Sequence, residues 1–378
     1  PRPGTPFWTT VQTHLAWSAT EQIRLLAGDA AVPSTVPEEQ LRLLTYTALA
    51  AGARGLLFES QAPLNQNDAA TQYRRAMLEL LNIELELIEP WISSGTLVTT
   101  LAGGDGQIRA TLFQLQRSRL LLPIWTRTGA QYSTGQSAAN AVSLVVPGIP
   151  DSNQVFELAP TSLKPIDHNR VAGGVRVTLP EFSLTSAVLL SQDPLVVTST
   201  SRSIGQVSQR AAELQVEIAR ARIAQAKQLA AALASAKQQV HGEWIAAGEA
   251  KLQSAQAALA GKRWEDAYRD GLRALRPVRV MERHYWDLAW KSAGSPVADP
   301  LLVIGQSFAD HWKVGPRFAT ANVGPNRLEA GDCENRQRMV ASGWKHVQHV
   351  QPGLQSSAEL VPGTPHGGQF SLRLRVWP

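Results

Sequence analysis

The sequence has one cysteine, Cys333, in 378 residues. One thiol forms no intrachain disulfide, and a zinc site built on cysteines is excluded as well. No run of about 18 apolar residues occurs, so no segment reads as a membrane-spanning helix. The first residues lack the basic and then apolar pattern of a secretory leader. There is no G-x-G-x-x-G, no G-x-x-x-x-G-K-[ST] and no G-x-S-x-G. Dinucleotide-binding, P-loop and serine-hydrolase chemistry therefore lack their anchors.

What is present is globular in composition, with 44% hydrophobic and 18% charged residues. The formal net charge is +5. Its distribution is uneven: residues 1–90 hold six arginines against ten acids, and residues 205–291 hold fourteen basic residues against nine acids. The basic excess is interleaved with acids along a helical stretch, which reads as a solvated face and not as a nucleic-acid surface.

Four regions differ in pattern. Residues 1–95 read as α/β. Pro6-Phe7-Trp8-Thr9-Thr10-Val11-Gln12 is a strand candidate. Pro37-Glu38-Glu39 opens a helix whose acids suit its positive end. Gly55-Leu56-Leu57-Phe58 is a second strand, and a second helix runs from about Ala69 to Glu89. Residues 96–200 hold seven short apolar runs separated by turn chemistry such as Pro147-Gly148 and Gly173-Gly174, the pattern of an antiparallel β-sandwich. Residues 201–294 are helical and rich in alanine. Ala212, Val216, Ala219, Ile223, Ala226, Ala230 and Leu233 open a seam of alternating four- and three-residue steps that continues past Lys237 to Ala247. A helical hairpin or small bundle follows from it, serving as spacer or as a self-association element over residues 206–290. Residues 295–378 return to strands, ending in the alternating run Phe370–Val376. Both ends of the chain are expected to be cut inside domains.

Pro6–Gln12, Pro37–Tyr46, Ala51-Gly52-Ala53-Arg54-Gly55-Leu56-Leu57-Phe58 and Asn82–Trp91 resemble the closing strands and helices of a (β/α)8 barrel from the glycoside hydrolase group with β-galactosidase-like members. The order of regions also resembles large multidomain bacterial proteins. The resemblance implies a multidomain chain: a partial barrel, an all-β sandwich, an all-α segment and, over 295–378, the start of a galactose-binding-like jelly roll. It implies a carbohydrate ligand and an extracellular or cell-envelope setting. It also places the general acid/base on an earlier strand, outside this chain. The nucleophile would fall near Val11–His14, where this sequence has Gln12. A neutral amide forms no glycosyl ester, so hydrolysis by this chain alone is not expected.

Within that frame Glu59 is the best-placed carboxylate, at the C-terminal end of a barrel-type strand. Gln12, His14 and Trp17 follow the first strand and supply hydroxyl-binding groups and an aromatic face suited to a sugar ring. Arg54 and Asp68 are expected to form a structural ion pair. His311, His346 and His349 do not make a metal site, and no cofactor is expected. Most of the eleven tryptophans have a packing reason, while Trp312 and Trp344 are candidates for a carbohydrate face.

Overall fold

The computed structural model describes residues 6–14, 17, 21, 36–60, 62–103, 106–126, 139–150, 152–235, 240–292, 322, 324, 325, 327–347, 353–363 and 368–377. The chain divides into two compact units, Pro1–Pro316 and Arg317–Pro378.

The first unit opens with strand β1 (Trp8–Gln12), helix α1 (Glu38–Ala50), strand β2 (Gly55–Glu59) and helix α2 (Ala69–Glu89). β1 and β2 pair in parallel, with Trp8 opposite Gly55 and Gln12 opposite Glu59. These are the two strand–helix units expected from sequence. They form a two-stranded sheet, and the described residues do not close a barrel. Asp68 caps α2 by accepting from the Thr71 amide at 2.9 Å and the Thr71 hydroxyl at 2.7 Å. Arg54 donates to the carbonyl of Ile92. The ion pair expected between Asp68 and Arg54 is thus replaced by two backbone-fixing roles, because both side chains have nearer main-chain tasks. α2 ends at Glu89, as the sequence pattern predicts, and a separate π-helical turn, Pro90–Ser94, follows it. Proline costs no hydrogen bond at the first position of a new turn.

Nine strands follow: β3 (Thr96–Ala102), β4 (Ile108–Leu115), β5 (Ser118–Trp125), β6 (Ala139–Val146), β7 (Gln154–Ala159), β8 (Ser162–Pro165), β9 (His168–Val171), β10 (Gly174–Phe182) and β11 (Ala187–Ser191). They make a six-stranded sheet in the order β3-β4-β5-β11-β7-β8 and a three-stranded sheet in the order β6-β10-β9, all antiparallel. The two inner faces share a core that includes Leu112, Leu121, Val146, Val177, Phe182 and Val188. The β9–β10 turn needs Gly174, where φ is +152° and a Cβ would lie 2.1 Å from the Val146 carbonyl oxygen.

The middle of the six-stranded sheet is buried on both sides. Every residue of β11 is buried, and β5 is buried at all but one position. Phe113, Leu120, Leu122 and Leu189 face away from the sandwich and join a second core with α1, α2 and three later helices. These are α3 (Pro194–Ser235), α4 (Gly242–Ala260) and α5 (Trp264–Ser292). The run Pro194-Leu195-Val196-Val197, assigned from sequence to the sandwich, is instead the first turn of α3. Asp193 nucleates it: its carboxylate accepts from the Leu195 amide at 2.9 Å and its carbonyl from the Val197 amide at 3.3 Å. The alanine seam does not run through one helix, since α3 ends at Ser235 and α4 starts at Gly242; Lys237 lies outside the described residues. Ala212, Val216, Ala219, Ile223, Ala226 and Leu233 are spent in the shared core of the unit. Residues assigned from sequence to barrel tail, sandwich and spacer therefore have one apolar interior in common.

Electrostatic ties close the same seam. Arg273 Nη2 donates to Glu181 Oε2 at 2.9 Å, and Arg276 pairs with the other oxygen, joining α5 to β10. Burial pushes the Glu181 carboxyl up, but the Arg276 and Arg273 guanidiniums outweigh it and hold it below its ordinary value. The unfolded carboxyl takes a proton more readily than the folded one. Its contribution is therefore complete above the unfolded value of 4.5 and is lost as pH falls below it. Thermal melts should show Glu181→Gln less stable than the parent at neutral pH, with the gap narrowing as pH falls below 4.5. A gap that does not depend on pH would show that the pair contributes nothing.

The second unit, among its described residues, holds helix α6 (Arg336–Ala341) and the antiparallel hairpin β12 (Gln355–Pro362) and β13 (Phe370–Trp377). Glu334 fixes the start of β13 by accepting from the amides of Gln369 at 2.9 Å and Phe370 at 3.2 Å. Arg373 and Arg375 flank Glu359 across the hairpin. Trp344 donates its indole N–H to the Glu329 carbonyl at 2.9 Å, which gives it a local anchoring role. His346 meets the Ser356 hydroxyl at 3.2 Å. The two sheets of a jelly roll are not among the described residues, and His311, Trp312 and His349 lie outside them.

Candidate functional site

Alternation along β1 and β2 sorts their residues onto two faces. Val11 is buried in the core with α1 and α2, and Leu56 and Phe58 pack against the same core. The opposite face carries Trp8, Thr10 and Gln12 from β1 and Gly55, Leu57 and Glu59 from β2. Trp8 lies over Gly55, where a Cβ would come within 2.5 Å of the indole. Trp8 is 73% exposed and Leu57 is 59% exposed. At the C-terminal end of this face Gln12 and Glu59 are directly opposite, and both are exposed. Thr13 locks that end: its amide and its hydroxyl each donate to the Glu59 carbonyl at 2.9 Å.

The sequence candidates are thus brought together in part. Gln12 and Glu59 are neighbours. His14 is buried, and Trp17 is 68% exposed just beyond it. The loop after Glu59 is held by a residue that sequence reasoning passed over. Arg74 of α2 is 1% exposed and donates to the carbonyls of Ala62 at 2.8 Å and Pro63 at 2.7 Å. Its signal in sequence was weak, one of two adjacent arginines on a helix.

A larger polar arrangement was missed. Glu38 and Glu39 are buried in the first turn of α1. Arg42, one turn on, pairs with Glu38 at 2.6 Å and with Glu84 of α2. Glu84 also accepts from the hydroxyls of Tyr46 at 3.2 Å and Tyr268 at 2.9 Å. Arg222 of α3 pairs with Glu282 of α5 at 2.7 Å and lies 3.5 Å from Glu39. Burial raises the Glu38 carboxyl, with Arg42 opposing, and raises Glu282, with Arg222 opposing. Burial would also lower both guanidiniums, but the facing carboxylates outweigh it, so Arg42 and Arg222 stay charged. Tyr46, Tyr73 and Tyr268 are kept neutral by burial. The recess against this cluster is about 110 Å³. The arrangement joins four helices; within it Glu39 meets Arg222 as an ion pair at 3.5 Å, and neither of its carboxylate oxygens has a hydrogen-bond partner.

Two carboxylates flanking a bond are what glycoside hydrolysis requires. The strand-end face supplies one, Glu59, beside an amide. Among the described residues no group of three or more His, Cys, Asp or Glu gathers to hold a metal ion.

No family model and no curated protein matches the sequence. Among solved structures the chain is similar to a Thermotoga maritima alpha-fucosidase in complex with a mechanism-based inhibitor, at TM-score 0.33 and 11% identity over 50% of this chain and 40% of that one. It is also similar to alpha-L-fucosidase isoenzyme 2 from Paenibacillus thiaminolyticus, at 0.21 and 14% over 33% and 20%. A third is an Anoxybacillus alpha-amylase, at 0.27 and 9% over 50% and 38%. The chain spans less than half the length of these glycoside hydrolases. Scores this low establish neither a shared fold nor a family.

Proposed function

We propose that residues 1–95 are the closing part of a parallel β/α barrel whose other strands lie outside this chain. In this reading the chain belongs to a glycoside-hydrolase-like protein and contributes carbohydrate contacts without performing hydrolysis. One observation supports it above the others. Parallel sheets are covered on both faces, yet here helices cover one face while the other exposes Trp8 and Leu57, with Gln12 and Glu59 at its C-terminal end. Apolar residues below and polar residues at the C-terminal rim are the layering of a barrel interior.

Gln12 favours binding over hydrolysis, because an amide hydrogen-bonds a sugar hydroxyl but cannot act as a nucleophile. A non-catalytic surface or scaffold protein that retained the barrel frame is the second reading, and the same Gln12 supports it.

The purified chain is expected to show no turnover of aryl glycosides. Turnover that disappears in Glu59→Gln would overturn the non-catalytic assignment. Binding to a panel of immobilised glycans is expected to be weak, with Kd near the millimolar range, and to be lost in Glu59→Ala and in Trp17→Ala. Retention by neither parent nor variants would remove the carbohydrate rim. Hydroxyl-radical footprinting tests the frame itself. Trp8 and Leu57 should label strongly in this chain and be protected in the longer chain that the proposal requires.

A further inference from the structure

The interior charges around α1 are not matched one to one. Arg42 is shared by two carboxylates, Glu38 of α1 at 2.6 Å and Glu84 of α2. Arg222 of α3 is shared as well: its Nη2 lies 2.7 Å from Glu282 of α5 and 3.5 Å from Glu39. Two carboxylates thus converge on a single guanidinium nitrogen. Glu39 is buried, and neither of its carboxylate oxygens has a hydrogen-bond partner. The third cation is Arg279 of α5, also buried, whose Nη2 donates to the Ser183 hydroxyl at 3.1 Å. Among the described residues, four interior carboxylates therefore face three guanidiniums.

The other groups that face this cluster leave the count unchanged. Tyr46 and Tyr268 donate to Glu84, and Tyr73 accepts from the Glu38 amide at 3.3 Å. Burial keeps all three phenols neutral. Arg276, one turn before Arg279, is paired with Glu181. Glu157 of β7 lines the adjoining recess and has Lys164 as its countercharge.

A buried carboxylate without a countercharge of its own is costly, and where like charges share a site one of them takes up a proton. Burial acts in that direction on Glu38 and on Glu282; Arg42 and Arg222 oppose it, and Glu39 reinforces it at both. Burial pulls the Arg279 guanidinium down to about 10, which still leaves it charged at neutral pH. The recess of about 110 Å³ beside Glu38, Arg42 and Glu84 has room for water, so protons have a route in.

We propose that this four-helix joint retains one proton at neutral pH, in the carboxyl row that Glu38 and Glu282 end, and that losing it as pH rises loosens α1 and α2 from α3 and α5. The proton belongs to the coupled row and not to one residue. A group that binds a proton more tightly when folded adds its stability in full below the unfolded value, 4.5 for both acids, and loses it as pH rises through the folded value. The joint is therefore sensitive to base, in the opposite sense to Glu181.

Infrared spectroscopy of the 378-residue chain at neutral pH tests the proton directly. The parent is expected to show the carbonyl stretch of a protonated carboxyl. Glu38→Gln and Glu282→Gln each remove the surplus charge and are expected to lose that band, while Glu157→Gln keeps it. Thermal melts and hydrogen exchange then follow the joint. Between about pH 5 and about pH 9 the parent should lose stability relative to Glu282→Gln. Protection of the α1 and α3 amides, corrected for intrinsic exchange, should fall by about tenfold for each pH unit above the folded value. No protonated-carboxyl band in the parent, or a band that survives both Glu38→Gln and Glu282→Gln, overturns the proposal. So does a difference between parent and Glu282→Gln that stays flat, or that grows in the parent's favour, as pH rises.

Discussion

Replacing Arg222 with methionine is expected to destabilise the first unit by about 3–5 kcal/mol, measured by denaturant unfolding. Arg222 is 1% exposed and stands between Glu282 at 2.7 Å and Glu39 at 3.5 Å. Methionine fills much of the volume but leaves two carboxylates in the interior with no cation between them. The cost comes from those stranded charges more than from the lost attraction. Changing all three, Arg222→Met with Glu39→Leu and Glu282→Leu, should recover most of the loss. If the triple variant is as unstable as Arg222→Met, the charges are not the cause and packing around α3 is.

The second large effect belongs to Trp91. This side chain is 4% exposed and occupies the π-helical turn between α2 and β3. Its indole N–H donates to the Ser118 hydroxyl at 2.9 Å, and its carbonyl receives the Gly95 amide at 3.0 Å. Trp91→Ala should cost about 3–5 kcal/mol through the lost contacts and the cavity left behind. Trp91→Phe keeps most of the packing and loses the hydrogen bond, a cost of about 1 kcal/mol. Ser118 retains its bond to the Leu115 carbonyl in both. Both variants should still unfold in one transition across residues 1–292. Two separated transitions would show that the strand–helix part and the sandwich fold independently.

Much of the fold was legible in the residues. Leu120-Leu121-Leu122-Pro123-Ile124-Trp125 is apolar without alternation, and β5 is covered on both faces. β6 alternates, and its three-stranded sheet has one solvated face. β8 and β9 escaped because strands of four residues, Ser-Leu-Lys-Pro and His-Asn-Arg-Val, are too short to carry a periodic signal. The helical region was recognised, but its neighbours were not. Heptad steps show that a seam is buried and do not identify what buries it; here the partners are α2, α4 and α5.

The strand-end rim was partly legible for a similar reason. A residue's place at the end of a strand can be read locally, so Gln12 and Glu59 were found, and their pairing follows from register. The buried cluster could not be read that way. Glu38 and Glu39 look like ordinary helix-start acids with a local partner in Arg42, and only the long-range approach of Arg222 and Glu84 makes them part of an interior charge cluster.

The six-stranded sheet, covered by β6-β10-β9 on one side and by helices on the other, bears on how such a protein can be inherited. A gene rearrangement that carried residues 96–191 elsewhere without α3 to α5 would bare Phe113, Leu120, Leu122 and Leu189 to water. The product would aggregate before selection could act on it. The strand–helix part, sandwich and helices are therefore expected to travel between genomes as a single cassette, with crossover points falling outside Trp8–Ser292.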